Sequence, residues 1–196
     1  MTDDRDKLQL LFTSSSKTVF TTRDFGNVWG YTHYDSLLER VEYFTKTNKL
    51  KKLRKGLYAI EGRKINEFEL ANKIRTPSYI SFETVLHKEG VIFQWDRRIT
   101  LASKESLQME INGYKIVFRQ VKDSVLLNKT GINEESNYFI ASKERALLDM
   151  LYISSSFQVD NLRGIDFDAV ENLLPIYGQK KLNKIVKGLK KHAGSY

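Results

Sequence analysis

The sequence predicts an α+β fold in two domains, and three observations lead there. Residues 46–60 read KTNKLKKLRKGLYAI, with six Lys or Arg among the ten residues from Lys46 to Lys55. This run follows directly on an amphipathic helical pattern and folds back on itself as LKKLRKGLYAI, with Gly56 at the turn. Beyond Asn66 the texture changes, and helical runs mix with short β-like ones. A helix followed at once by a basic hairpin is the order in which a winged helix-turn-helix meets DNA, the helix in the major groove and the wing on phosphate. The expected domains are a winged helix-turn-helix DNA-binding domain over 1–62 and a mixed α+β domain over 66–196.

The elements follow in order. A first helix is expected over 5–12, with Leu8, Leu11 and Phe12 on one face, then a loop at Ser14-Ser15-Ser16. Thr18-Val19-Phe20 is short and β-like. Thr21 and Asp24 have capping-box spacing and start a second helix that runs to Trp29, where Gly30 ends it. Thr32 and Asp35 repeat that spacing for a third helix reaching about Asn48. On it Leu37, Val41 and Phe44 form a core-facing stripe, while His33, Tyr34, Ser36, Arg40, Tyr43 and Lys46 occupy the other faces. Glu39 and Glu42 share this helix, and near phosphate a carboxylate mostly repels.

In the hairpin, strands over 49–53 and 57–60 flank the turn at Arg54-Lys55-Gly56. Leu50, Leu53, Leu57 and Tyr58 are expected to pin it to the core, with Lys51, Lys52, Arg54 and Lys55 facing out. The candidate DNA contacts are therefore His33, Tyr34, Ser36, Arg40, Lys46, Lys49, Lys51, Lys52, Arg54 and Lys55. The competing reading is a solvated basic loop.

After a joint at Gly62-Arg63-Lys64-Ile65-Asn66, helices are expected over 67–74 and 78–88, broken at Thr76-Pro77 and ended by Gly90. Residues 91–94 and 99–102 read as short strands. Strands over 107–111 and 114–121 flank Asn112-Gly113, a strong hairpin signal. Ser142 caps a helix ending near Ile153, with Leu147, Leu148 and Leu151 on its buried side. Residues 179–191 form a basic amphipathic helix with Lys180, Lys184, Lys187 and Lys191 in one row. That row is either a polyanion or acidic-partner surface or simply a solvated face.

Charge is divided unevenly. Residues 1–64 hold 13 basic and 8 acidic side chains, a net +5; residues 178–196 hold six lysines and no acid. Residues 65–177 are mildly acidic, at 13 basic and 16 acidic. Basic ends around an acidic middle point to polyanion contact at the ends. The 41% hydrophobic content is that of a soluble globular protein. No apolar run reaches the roughly 18 residues a membrane span needs, and MTDDRDKLQLLF lacks a signal peptide's basic start. With no cysteine, disulfides and thiolate zinc sites are excluded, and a cytoplasmic location is expected.

No catalytic motif accompanies this. The sequence holds no G-x-G-x-x-G, Walker A loop, G-x-S-x-G or H-E-x-x-H. Glu83, His87 and Glu89 make a loose metal-like cluster, read instead as a surface ion pair at a helix C-terminus. Asp166-Phe167-Asp168 has the carboxylate spacing of nucleotidyltransferases without their Gly-Ser turn, and Asp166 is read as a helix cap. The chain is expected not to be an enzyme and to need no cofactor or metal.

The order of a basic wing (RKGLYA, 54–59), then ELANKI…PSYISFETVL…GVIFQ, then IASKERALLDMLYI resembles the AbiEi family of antitoxins. These are the transcriptional-repressor halves of type IV toxin–antitoxin systems, which act in phage defence. The likeness spans about 11–189. It implies that the first domain binds double-stranded operator repeats and represses its own operon. It implies that the second opposes, directly or indirectly, a cognate nucleotidyltransferase-type toxin. Carried onto this chain, DNA contact falls to His33, Tyr34, Ser36 and Arg40 and to Lys51, Lys52, Arg54 and Lys55. The alternative from a different class is a winged-helix protein-interaction module without specific DNA binding, which the acidic residues of the third helix favour.

Overall fold

A computed structural model of the chain describes residues 4–13 and 16–193, with side chains described for 7–11 and 16–193. The expected placement of Phe12 and the loop at Ser14-Ser15 lie outside these. The fold is mixed α+β, with two sheets. It divides into two compact units, Met1–Ile74 and Arg75–Tyr196.

In the first unit the order is α1 (Asp4–Thr13), β1 (Phe20–Thr21), α2 (Thr22–Trp29), α3 (Tyr34–Lys46), β2 (Leu50–Arg54), β3 (Leu57–Ile60) and α4 (Glu67–Ile74). The strands form one antiparallel sheet in the order β1-β3-β2. α2 begins with the expected capping box: Thr21 accepts from the Asp24 N–H while Asp24 accepts from the Thr21 N–H. It ends at Gly30, whose φ of 68° is the left-handed conformation that glycine adopts without strain. The second expected box does not form. α3 starts one residue later than its spacing suggested, with His33 as an N-cap that makes no side-chain bond.

Aromatic side chains fill the core of this unit. Phe25 stacks on Trp29 at 4.8 Å and on Phe20 at 5.6 Å, and Phe44 lies 5.4 Å from Trp29. Leu37, Val41 and Phe44 are buried, as their spacing predicted. Each such side chain contributes about 1.5–3 kcal/mol by leaving water. At Gly26 the two helices are close: a Cβ there would sit 3.2 Å from Leu37 Cδ2, which would have to shift by a few tenths of an ångström. The expected joint at 62–66 lies inside this unit, because α4 stays with it. The Thr18 N–H and hydroxyl both donate to the buried Glu69 carboxylate, and the Asn66 N–H donates to the Thr18 hydroxyl.

The second unit is a six-stranded mixed sheet in the order β6-β7-β5-β4-β9-β8, with helices packed on it. Its strands are β4 (Ser78–Ile80), β5 (Ile99–Ser103), β6 (Leu107–Ile111), β7 (Tyr114–Gln120), β8 (Ile132–Glu135) and β9 (Tyr138–Ala141). Its helices are α5 (Glu83–Lys88), α6 (Asp123–Leu126), α7 (Lys143–Ile153), α8 (Phe167–Leu173) and α9 (Lys180–Ala193), with a 3-10 turn over Leu174–Ile176. The expected helix over 78–88 is corrected: Ser78–Ile80 is an interior strand between β5 and β9, and only its second half is helical. The Asn112-Gly113 hairpin forms with both residues at positive φ. Residues 91–94 form no strand.

α7 carries a polar network into this core. Arg145 and Asp149 are both 0% exposed. Ser81 and Tyr177 donate to Asp149 at 2.7 Å, and Tyr79 donates at 3.2 Å. The Arg145 guanidinium lies 3.4 Å from the same carboxylate and donates to the carbonyls of Val125 and Thr130. Burial pushes the Tyr79 and Tyr177 hydroxyls well up, so both stay protonated and donate.

Candidate nucleic-acid interface

The register of the hairpin breaks next to its turn. Leu50 pairs with Ile60, Lys51 with Ala59 and Lys52 with Tyr58, but Arg54 pairs with Leu57, so the register shifts between Lys52 and Arg54. A bulge of this kind leaves an extra residue unpaired, here at Leu53, and bends the strand locally. Lys51, Lys52, Arg54 and Lys55 are all exposed, while Leu50, Leu57 and Tyr58 are buried and Leu53 is half-buried. None of the four cations makes a hydrogen bond or ion pair among the described residues. Gly56, at φ 78°, makes the turn, and its carbonyl accepts from the Thr22 N–H at 3.3 Å. The turn is thereby tied to the start of α2.

α3 divides into three exposed strips at about 100° per residue. Opposite the buried stripe runs a ridge of Asp35, Glu39, Glu42 and Lys46, all exposed. Lys46 pairs with Glu42 at 2.7 Å. That hydrogen bond, with Lys46's charge and Lys52's beyond it, holds the Glu42 carboxyl below its ordinary value. Lys52 of β2 therefore stands near this side of α3. Tyr34, 63% exposed, is on the flank beside Tyr58, whose hydroxyl is pushed up by burial and then by Tyr34. Ser36 and Arg40 are on the other flank, where they share a shallow concavity with Tyr31, Glu39 and Tyr43.

The ten candidate contacts thus do not form one patch. Lys51, Lys52, Arg54 and Lys55 are all exposed on β2 and its turn, with Tyr34 on the flank of α3 beside Tyr58. Arg40 is half-buried, its guanidinium 5.5 Å from the Tyr43 ring and 6.0 Å from the Phe44 ring. Lys49 lies 5.6 Å from the Phe44 ring and is half-buried. His33 is exposed at the helix start. Sequence spacing missed Tyr31, which accepts from Lys7 Nζ at 2.9 Å. The Lys7 hydrogen bond, and after it the one from Arg40, lowers the Tyr31 hydroxyl's pKa despite partial burial. That contact joins residues 24 apart in sequence, which no local pattern records.

No protein-family model matches the chain, and a search of curated proteins finds no match either.

The residues weighed for other chemistry are accounted for by local structure. Glu83 pairs with Arg119, and His87 stacks on Trp95 at 5.0 Å, so the expected ion pair at that helix end is not the one formed. Asp166 caps α8, accepting from the N–H groups of Asp168 and Ala169. Phe82 turns β4 into α5 with φ 57° and ψ −139°. A sharp strand-to-helix turn can display a nucleophile, but here the residue is a buried phenylalanine. Lys180, Lys184, Lys187 and Lys191 are exposed on α9, whose Leu182 and Val186 are buried. No helix of the described residues is long and apolar enough to cross a membrane.

Proposed function

We propose that the first unit is a winged helix-turn-helix and that the protein is a sequence-specific DNA-binding repressor. It acts by binding rather than by catalysis. The observation that carries this reading is the set of four exposed cations on β2 and its turn, which have no hydrogen bond or ion pair among the described residues. Each cation placed on phosphate releases condensed counterion, and this gives a short hairpin its affinity for duplex DNA. The order of helices and strands, with sheet order β1-β3-β2, supports the same reading.

The resemblance to AbiEi antitoxins extends the proposal. The protein represses its own operon, and its second unit opposes a nucleotidyltransferase-type toxin. Two assays test this: repression of a reporter driven by the operon's promoter, and growth rescue when the chain is expressed with the toxin from its own operon. Reporter output unchanged by the chain would sink the repressor reading; unrelieved toxicity would sink the antitoxin reading alone.

One observation favours a second reading. The most exposed ridge of α3 bears three carboxylates against one lysine, and that lysine is already paired. A protein partner with a basic surface suits such a ridge, which would make the unit an interaction module.

A further inference from the structure

We infer that Glu39 reads the amino group of a cytosine in the major groove; this rests on the DNA-binding reading above. Glu39 stands at the middle of the exposed ridge of α3 and has no hydrogen bond or ion pair among the described residues. Its neighbour Glu42 is already engaged by Lys46. A carboxylate turned toward phosphate is repelled, so its place on a groove-facing helix is opposite base edges. There it meets donors only at the amino groups of cytosine and adenine. Adenine's amino group is flanked by acceptors on both sides, N7 and thymine O4, which oppose a carboxylate, whereas cytosine's has an acceptor, guanine O6, on one side only.

The surroundings fit a polar base edge. Glu39 shares its concavity with Ser36, one turn before it, and with Tyr43, one turn after. Arg40 and the Lys7–Tyr31 pair place positive charge at the same flank, which offsets repulsion between Glu39 and the nearest phosphates. The discriminating power of α3 thus lies in the residue least suited to DNA by charge alone. Glu39 favours one base pair and penalises a misplaced backbone.

The test is selection of bound duplexes from a randomised library by the full chain, compared with Glu39→Gln and Glu39→Ala. Wild type should select a C·G pair at a defined position. Glu39→Ala should weaken that preference about ten-fold, near the low end for a base-edge contact. Glu39→Gln should move it toward A·T, because an amide matches adenine's donor and acceptor together. Both variants should bind unrelated DNA more tightly than wild type, because a negative charge has left. Tighter binding with every preference unchanged would overturn the inference and leave Glu39 as a repelling charge, with the DNA-binding reading intact. Wild type that binds no duplex would overturn both.

Discussion

Thr18 donates its backbone N–H and its hydroxyl to the same oxygen of Glu69, at 2.8 and 2.7 Å. Glu69 is 1% exposed, and its nearest cation, Lys73, is 3.9 Å away. The pair joins the entry to β1 with α4 across 51 residues of sequence. A buried carboxylate stripped of donors costs more than the bond it loses.

Thr18→Val keeps the backbone donor and the side-chain shape but deletes the hydroxyl. It should destabilise the first unit by about 1–3 kcal/mol. Trp29 and Trp95 are the two tryptophans, so a Trp95→Phe background leaves Trp29 to report this unit in urea unfolding. An unchanged midpoint would mean that α4 is held by other contacts.

Acid stability should depend on Asp24. Burial alone would raise its carboxyl, but hydrogen bonds from Lys17 and Thr21, with Lys73 nearby, outweigh burial and hold it below the ordinary 3.8. A pKa lowered on folding contributes stability above the unfolded value, and that contribution is lost as pH falls through the folded one. Wild type should therefore lose stability steeply below about pH 4. Asp24→Asn should be less stable at neutral pH, by about 1 kcal/mol, and flatter in acid. Parallel curves for the two proteins would contradict this.

The hairpin cations have a signature in salt. Replacing Lys51, Lys52, Arg54 and Lys55 together by Ala should weaken binding to every duplex. The slope of log K against log salt should fall by up to about 3.6, from about 0.9 per lost phosphate contact. A slope equal to that of wild type would take the hairpin off the phosphate backbone.

In the second unit, Arg145→Met leaves the Asp149 carboxylate buried without its cation. This should cost about 3–5 kcal/mol, as removing one partner of a buried pair does. Arg145→Met with Asp149→Asn should cost less than the sum of the two single changes. Additive costs in urea unfolding would show that the two side chains are not coupled.

Local chemistry made much of the first unit legible. The period of Leu37, Val41 and Phe44, the Thr21–Asp24 box and the glycine at the hairpin turn are each readable within a few residues. The Asn112-Gly113 hairpin was readable for the same reason. Ser78–Ile80 was not, because an interior strand lacks polar alternation and the run SYISFETVLHK also has helical spacing. Phe82 takes a positive φ that no side-chain preference announces. The Arg145–Asp149 spacing is visible on a helix, but its partners Tyr79, Ser81 and Tyr177 come from distant segments. At the candidate interface the outward-facing hairpin cations were readable, and the half-burial of Arg40 and Lys49 was not. The ring contacts of Arg40 and Lys49 set these two apart from the hairpin cations that face solvent.

The most direct test is a titration of the purified chain against its own promoter DNA and a scrambled duplex of equal length, each at two salt concentrations. DNA recognition by α3 and the hairpin predicts tight binding to the promoter, weaker binding to the scrambled duplex, and a steep loss of both as salt rises. Equal weak binding to both duplexes, or none, would contradict it and leave the basic hairpin as a solvated surface.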